Sequence, residues 1–96
     1  LSDMERTAIF PGSFDPFTVG HASIVERGLP LFDEIVIGVG VNENKRALYT
    51  AEERVEHIRQ LYADEPRVRV VSYSDLTIDL AHREGAKFIL RGLRSV

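Results

Sequence analysis

The sequence predicts an α/β fold built on a doubly wound parallel sheet that ends after its fourth strand. Two observations predict it. Short apolar runs alternate with amphipathic stretches in the order β-α-β-α-β-α-β, which implies parallel pairing with helices on both faces. The run Glu34-Ile35-Val36-Ile37-Gly38-Val39-Gly40-Val41 is almost wholly apolar, as a strand covered on both faces must be.

Each element follows in turn. Residues 7–10 (Thr-Ala-Ile-Phe) form the first strand, and residues 21–31 a helix with Ile24, Val25, Gly28 and Leu29 inward. Pro30 weakens that helix's last turn. Residues 34–41 are the second strand and 42–49 a polar loop. Thr50-Ala51-Glu52-Glu53 is a capping box. It opens a helix to about residue 63, with Val55, Ile58, Leu61 and Tyr62 on one face. Residues 68–73 are the third strand and 75–84 the third helix, closed by Gly85 in a left-handed cap. Residues 87–90 are the fourth strand. Glu52, Glu53, Arg54, Arg67 and Arg69 are expected to face solvent. Tyr49 and Tyr62 read as packing residues, and His57 and His82 as surface or helix-packing residues.

Composition narrows the class. With 96 residues, 44% of them hydrophobic and 28% charged, the chain suits one small globular domain. A net charge of −3 argues against a nucleic-acid-binding surface. The chain has no cysteine, which excludes disulfides and thiolate chemistry and fits a reducing cytoplasm. No apolar run reaches membrane-spanning length, so no membrane contact is expected. Leu1-Ser2-Asp3 ahead of Met4 reads as an expression remnant, leaving 4–96 as the domain portion.

The most informative segment is Phe10-Pro11-Gly12-Ser13-Phe14-Asp15-Pro16-Phe17-Thr18-Val19-Gly20-His21. A glycine-bearing loop between strand and helix leaves backbone N–H groups at the positive helix end, where an anion such as a nucleotide phosphate can sit. Gly12 and Gly20 permit close approach, and His21 can donate a hydrogen bond. A Walker A loop and a G-x-G-x-x-G fingerprint are both absent. In open parallel sheets ligands bind beyond the carboxyl ends of the strands. That rule gathers this loop, Lys45 and Arg46 after strand two, residues 72–77 after strand three, and Arg91 and Arg94 after strand four. Such a group of cations suits a polyphosphate. The alternative readings are His21 as a helix cap, Ser13 as a turn hydroxyl, and Asp15 as the partner in an Asx-turn.

Pro-Gly-Ser-Phe-Asp-Pro followed by Thr18-Val19-Gly20-His21 resembles the T/H-x-G-H signature of the nucleotidyltransferase superfamily. With Asn44-Lys45-Arg46, residues 48–55 (L-Y-T-A-E-E-R-V), Ser74-Asp75-Leu76 and Arg91-Gly92-Leu93-Arg94-Ser95-Val96, the chain from residue 6 to 96 resembles the phosphopantetheine adenylyltransferase family. Thr at the first signature position and R-G-L-R separate it from relatives with H-x-G-H. The resemblance implies a Rossmann-like fold of nucleotidyltransferase type. It also implies transfer of the adenylyl group of ATP to 4′-phosphopantetheine, giving dephospho-coenzyme A and pyrophosphate, with Mg²⁺.

By the same resemblance, His21 contacts ATP phosphate and is the catalytic residue. Ser13 lies near the reacting phosphates and contacts both substrates. Phe14 lends backbone to ATP, and Gly92, Leu93 and Arg94 form the ATP-binding turn. Lys45 and Arg91 hold the acceptor phosphate, and Thr77 meets the pantetheine arm. The family forms homohexamers, so a homo-oligomer is expected. It also continues past R-G-L-R-x-V into segments that hold adenine. The chain therefore reads as the N-terminal portion of one adenylyltransferase domain, and residues 1–96 alone are expected to lack activity. Another T/H-x-G-H nucleotidyltransferase, or a non-catalytic nucleotide-binding fragment, are the alternatives.

Overall fold

The computed structural model describes residues 6–41, 49–74 and 76–91. Within them the chain alternates strand and helix as the sequence implies: β1 (Thr7–Gly12), α1 (Val19–Gly28), β2 (Glu34–Gly40), α2 (Ala51–Leu61), β3 (Val68–Tyr73), α3 (Thr77–Glu84) and β4 (Phe88–Ile89). The four described strands are parallel and lie in the order β3-β2-β1-β4.

The two faces of the sheet are covered by different helices. Phe10, Ile35, Ile37, Val39, Val68 and Val70 project to one face, where Val25 of α1 and Val55 and Ile58 of α2 pack against them. Ile9 and Val36 project to the other, against Leu80 and Ala81 of α3. Alternate residues of one strand thus serve two cores. This is why residues 35–39 are apolar without a break, and all five are buried. On the α3 side the fit is tight: a Cβ at Gly38 would lie 2.6 Å from Leu80 Cδ2.

Helix ends follow their side-chain chemistry. Thr50 Oγ1 accepts the Glu53 N–H at 3.1 Å, and Glu53 Oε1 accepts the Thr50 N–H at 2.9 Å, which is the predicted box. Gly85 closes α3 at φ 70, a left-handed cap that glycine adopts without strain. α1 starts earlier than residue 21, because Thr18 is its N-cap.

Three expectations are corrected. Leu61 is 64% exposed, because at 100° per residue it falls a quarter-turn off the stripe of Val55, Ile58 and Tyr62. β4 covers two residues rather than four, its side chains are exposed, and among the described strands it pairs with β1 alone. Arg54 is 6% exposed rather than solvated. Arg67 and Arg69 do face solvent. Arg69 is paired with Glu34 at 2.8 Å and Glu84 at 2.9 Å, at the amino end of the sheet.

Candidate nucleotide-binding site

The chain passes from β1 through β2 to β3 on one side of β1, then returns to place β4 on the other. A crevice opens where the strand order reverses, beyond the carboxyl ends of β1 and β4. There the structure holds an open cavity of about 800 Å³. Its walls include Gly12, Ser13, Phe14, Asp15, Thr18 and His21 from the segment after β1, Tyr73 and Thr77 from the β3 side, and Leu90 and Arg91 after β4. Of the residues anticipated from sequence, Ser13, Phe14, His21, Thr77 and Arg91 therefore meet in one place. Lys45, Gly92, Leu93 and Arg94 lie outside the described residues.

The cavity meets the N-terminus of α1, whose first turn carries no acidic residue, whereas α2 carries Glu52 and Glu53. The helix end at the cavity thus keeps its partial positive charge. Thr18 Oγ1 accepts the His21 N–H at 3.4 Å. Helix geometry leaves the N–H groups of Val19 and Gly20 without an intrahelical partner.

His21 is both a cap and a donor. The Thr18 backbone N–H donates to His21 Nδ1 at 2.9 Å. A backbone N–H can only donate, so Nδ1 carries no proton, and the neutral ring carries its proton on Nε2. The cap reading of His21 is correct, and it leaves Nε2–H to donate elsewhere. The ring is held by aromatic neighbours, with centroids 5.0 Å from Phe14, 5.3 Å from Phe17 and 6.2 Å from Phe10. Burial against them lowers the His21 pKa below its usual value, favouring the neutral form.

This shift fixes a pH dependence. A histidine with a depressed folded pKa adds stability that is complete above its unfolded value of about 6.5 and is lost as pH falls through the folded value. Protonation also places a hydrogen on Nδ1 against the Thr18 N–H. The difference in melting temperature between the wild type and His21→Ala should therefore shrink as pH drops below about 6.5. Thermal scans between neutral and acid pH check this, and a difference that widens in acid would contradict it.

Phe14 stands at φ 51 with its ring 3% exposed. Gly12 makes room for that ring, since a Cβ there would lie 2.9 Å from Phe14 Cζ. Asp15 Oδ1 accepts the Tyr49 N–H at 2.9 Å, so Asp15 ties the first loop to the start of α2. Thr77 Oγ1 lies 3.4 Å from the Tyr73 hydroxyl. Tyr49 packs on His57 with centroids 5.2 Å apart, and Tyr62 on Phe17 at 6.1 Å, as packing residues should.

Sequence reasoning missed Arg54. Its Nη1 donates to the carbonyls of Ser13 at 2.7 Å and Gly40 at 3.2 Å, and its Nε to those of Tyr49 at 3.2 Å and Thr50 at 3.3 Å. One signal was present: Arg54 stands one turn before the buried Ile58, at i and i+4 on the helix.

Comparison with known proteins agrees with this geometry. Residues 9–96 match the cytidylyltransferase-like family. The chain is 58% identical over 91 residues to the phosphopantetheine adenylyltransferase of Bacteroides fragilis, covering 95% of this chain and 61% of that protein. It is 58% identical over 90 residues to that of Flavobacterium johnsoniae, covering 94% and 59%. The chain thus spans about three fifths of the length of these curated relatives. Among solved structures, a NadR protein in complex with NAD and AMP-PNP superimposes with a TM-score of 0.70 at 23% identity, over 84% of this chain and 26% of that one. A bifunctional NMN adenylyltransferase/ADP ribose pyrophosphatase from Francisella tularensis, complexed with AMP and a manganese ion, gives 0.63 at 22%, over 75% and 23%. At that identity the two structures share the fold. A parallel sheet of order 3-2-1-4, a T-V-G-H helix start at its switch point and a family match over nearly the whole length converge: the chain belongs to the cytidylyltransferase-like family.

Proposed function

We propose that the complete protein transfers the adenylyl group of ATP to 4′-phosphopantetheine, releasing pyrophosphate and dephospho-coenzyme A. The observation that carries this reading is the crevice between β1 and β4, where His21 Nε2–H, the α1 N-terminus and Arg91 meet. An acceptor phosphate oxygen attacks the α-phosphorus, a new P–O bond forms, and the bond to the β-phosphate oxygen breaks. The nucleophile is already an anion, so no side-chain base is required. The protein's task is to hold two anions in line and to offset charge that develops on the α-phosphate and the leaving group.

His21 donates from Nε2 to a phosphate oxygen, and the Val19 and Gly20 amides add their partial charge. Ser13 and Phe14 contribute beside them. Arg91, with Lys45, holds the acceptor phosphate; Thr77 meets the pantetheine arm; and Gly92, Leu93 and Arg94 complete the grip on ATP. Among the described residues no cluster of His, Asp or Glu could form a metal cage. Magnesium, which is commonly held through substrate phosphates, would arrive with the triphosphate and offset its charge. Among the described residues no helix is long and apolar enough to cross a membrane. A cytoplasmic homo-oligomer that binds neither nucleic acid nor membrane completes the proposal.

The assignment of two substrates to two sets of cations is testable. A lysine cannot reproduce a bidentate guanidinium contact with phosphate. In the complete protein, Arg91→Lys should raise the KM for 4′-phosphopantetheine about tenfold, the scale of one charge-assisted hydrogen bond. The KM for ATP should change little. Pyrophosphate release gives both constants, and a loss confined to ATP would reverse the assignment.

A further inference from the structure

Arg54 is the one charged residue buried among the described residues, and the chemistry above does not use it. A buried guanidinium is costly unless its protons are matched. Here they are matched by carbonyls from three separate places: Ser13 after β1, Gly40 at the end of β2, and Tyr49 and Thr50 at the start of α2. Packing alone would be served by leucine or methionine at this helical position. A planar fork that fixes several oxygens at once requires arginine.

The shortest of these bonds is the 2.7 Å contact with the Ser13 carbonyl. The only cis peptide bond among the described residues is Asp15–Pro16, so the Ser13–Phe14 peptide is trans. In a trans peptide the C=O and N–H point in opposite directions. Holding the Ser13 carbonyl inward therefore turns the Phe14 N–H away from Arg54. Ser13 and Phe14 both line the cavity. Phe14 also has φ 51, a conformation that a residue with a Cβ keeps only when its surroundings impose it. The ring is fixed by Phe10 at 5.1 Å, Phe17 at 5.3 Å and His21 at 5.0 Å. The carbonyl before it is fixed by Arg54.

We infer that Arg54 is a positioning residue: it sets the Ser13–Phe14 peptide so that the Phe14 N–H is presented to a phosphate oxygen of the bound nucleotide. The inference rests on reading the cavity as the ATP phosphate site.

The test compares Arg54→Lys with Leu80→Ala in the complete protein. Leu80 is fully buried in the core on the other face of the sheet, apart from the cluster that holds Phe14. ATP binding is measured by calorimetry without acceptor, and the Phe14 amide is followed by ¹H–¹⁵N NMR during the titration. Arg54→Lys should weaken ATP by about tenfold or more, the loss of one hydrogen bond to a charged group. Its Phe14 amide should no longer respond to ATP as the wild-type amide does. Leu80→Ala should lower the melting temperature at least as much yet bind ATP within about twofold of wild type, as independent sites do. Wild-type affinity in Arg54→Lys, or an equal loss in Leu80→Ala, would overturn the inference. If Arg54→Lys does not fold, the wild-type Phe14 amide decides: no response to ATP overturns the inference. A wild-type protein that binds ATP but does not adenylylate 4′-phosphopantetheine would remove the proposed acceptor and leave Arg54 to be judged on ATP affinity. A wild-type protein that does not bind ATP removes both.

Discussion

His21→Ala in the complete protein should lower kcat by about 10²–10³, the cost of losing one preorganised donor at a charged transition state. The Nδ1 bond to the Thr18 N–H fixes which ring nitrogen carries the proton, and the aromatic neighbours fix where that nitrogen sits. On the proposed function, that donor would be in place before substrate arrives. The same substitution removes one half of the α1 capping box, at about 1 kcal/mol. The fold should survive, since His21 is not itself a member of either buried core. Steady-state kinetics and circular dichroism on one preparation separate the two effects. Near wild-type turnover would remove His21 from the mechanism.

Leu80→Ala should produce the largest loss of stability, about 2–5 kcal/mol. Leu80 is fully buried and is the largest side chain that α3 sends into its core. Gly38→Ala should cost about 1–3 kcal/mol by overpacking, because its new Cβ meets Cδ2 of the fully buried Leu80 at 2.6 Å. The two changes are complementary: the space vacated at residue 80 accepts the methyl at residue 38. The double variant should be more stable than the sum of the two losses implies. Urea unfolding of all four proteins measures the coupling, and strict additivity would show that the two residues do not share the space.

The sheet was legible because burial on both faces leaves its mark at every position of residues 35–39, and because turn residues such as Gly85 have one conformational use. The loop after β1 was legible because glycines and a histidine between strand and helix have a restricted chemistry. What escaped was non-local. Asp15 meets Tyr49 across 34 positions and Arg54 meets Ser13 across 41, and no local period encodes such pairs. Arg54 was misplaced because charge usually outweighs helical spacing as a sign of exposure. Here four carbonyls reverse that rule. Leu61 was misplaced for the opposite reason: its hydrophobicity outweighed its angle on the helix.

One reaction tests the proposed function most directly. The complete protein should be incubated with ATP and magnesium in the presence of 4′-phosphopantetheine, nicotinate mononucleotide or glycerol 3-phosphate in turn, and with CTP in place of ATP. Products are identified by mass spectrometry alongside pyrophosphate release. Dephospho-coenzyme A and stoichiometric pyrophosphate are expected from ATP and 4′-phosphopantetheine, and little product from the other pairs. A dominant product from another acceptor, or from CTP, would contradict the proposed function.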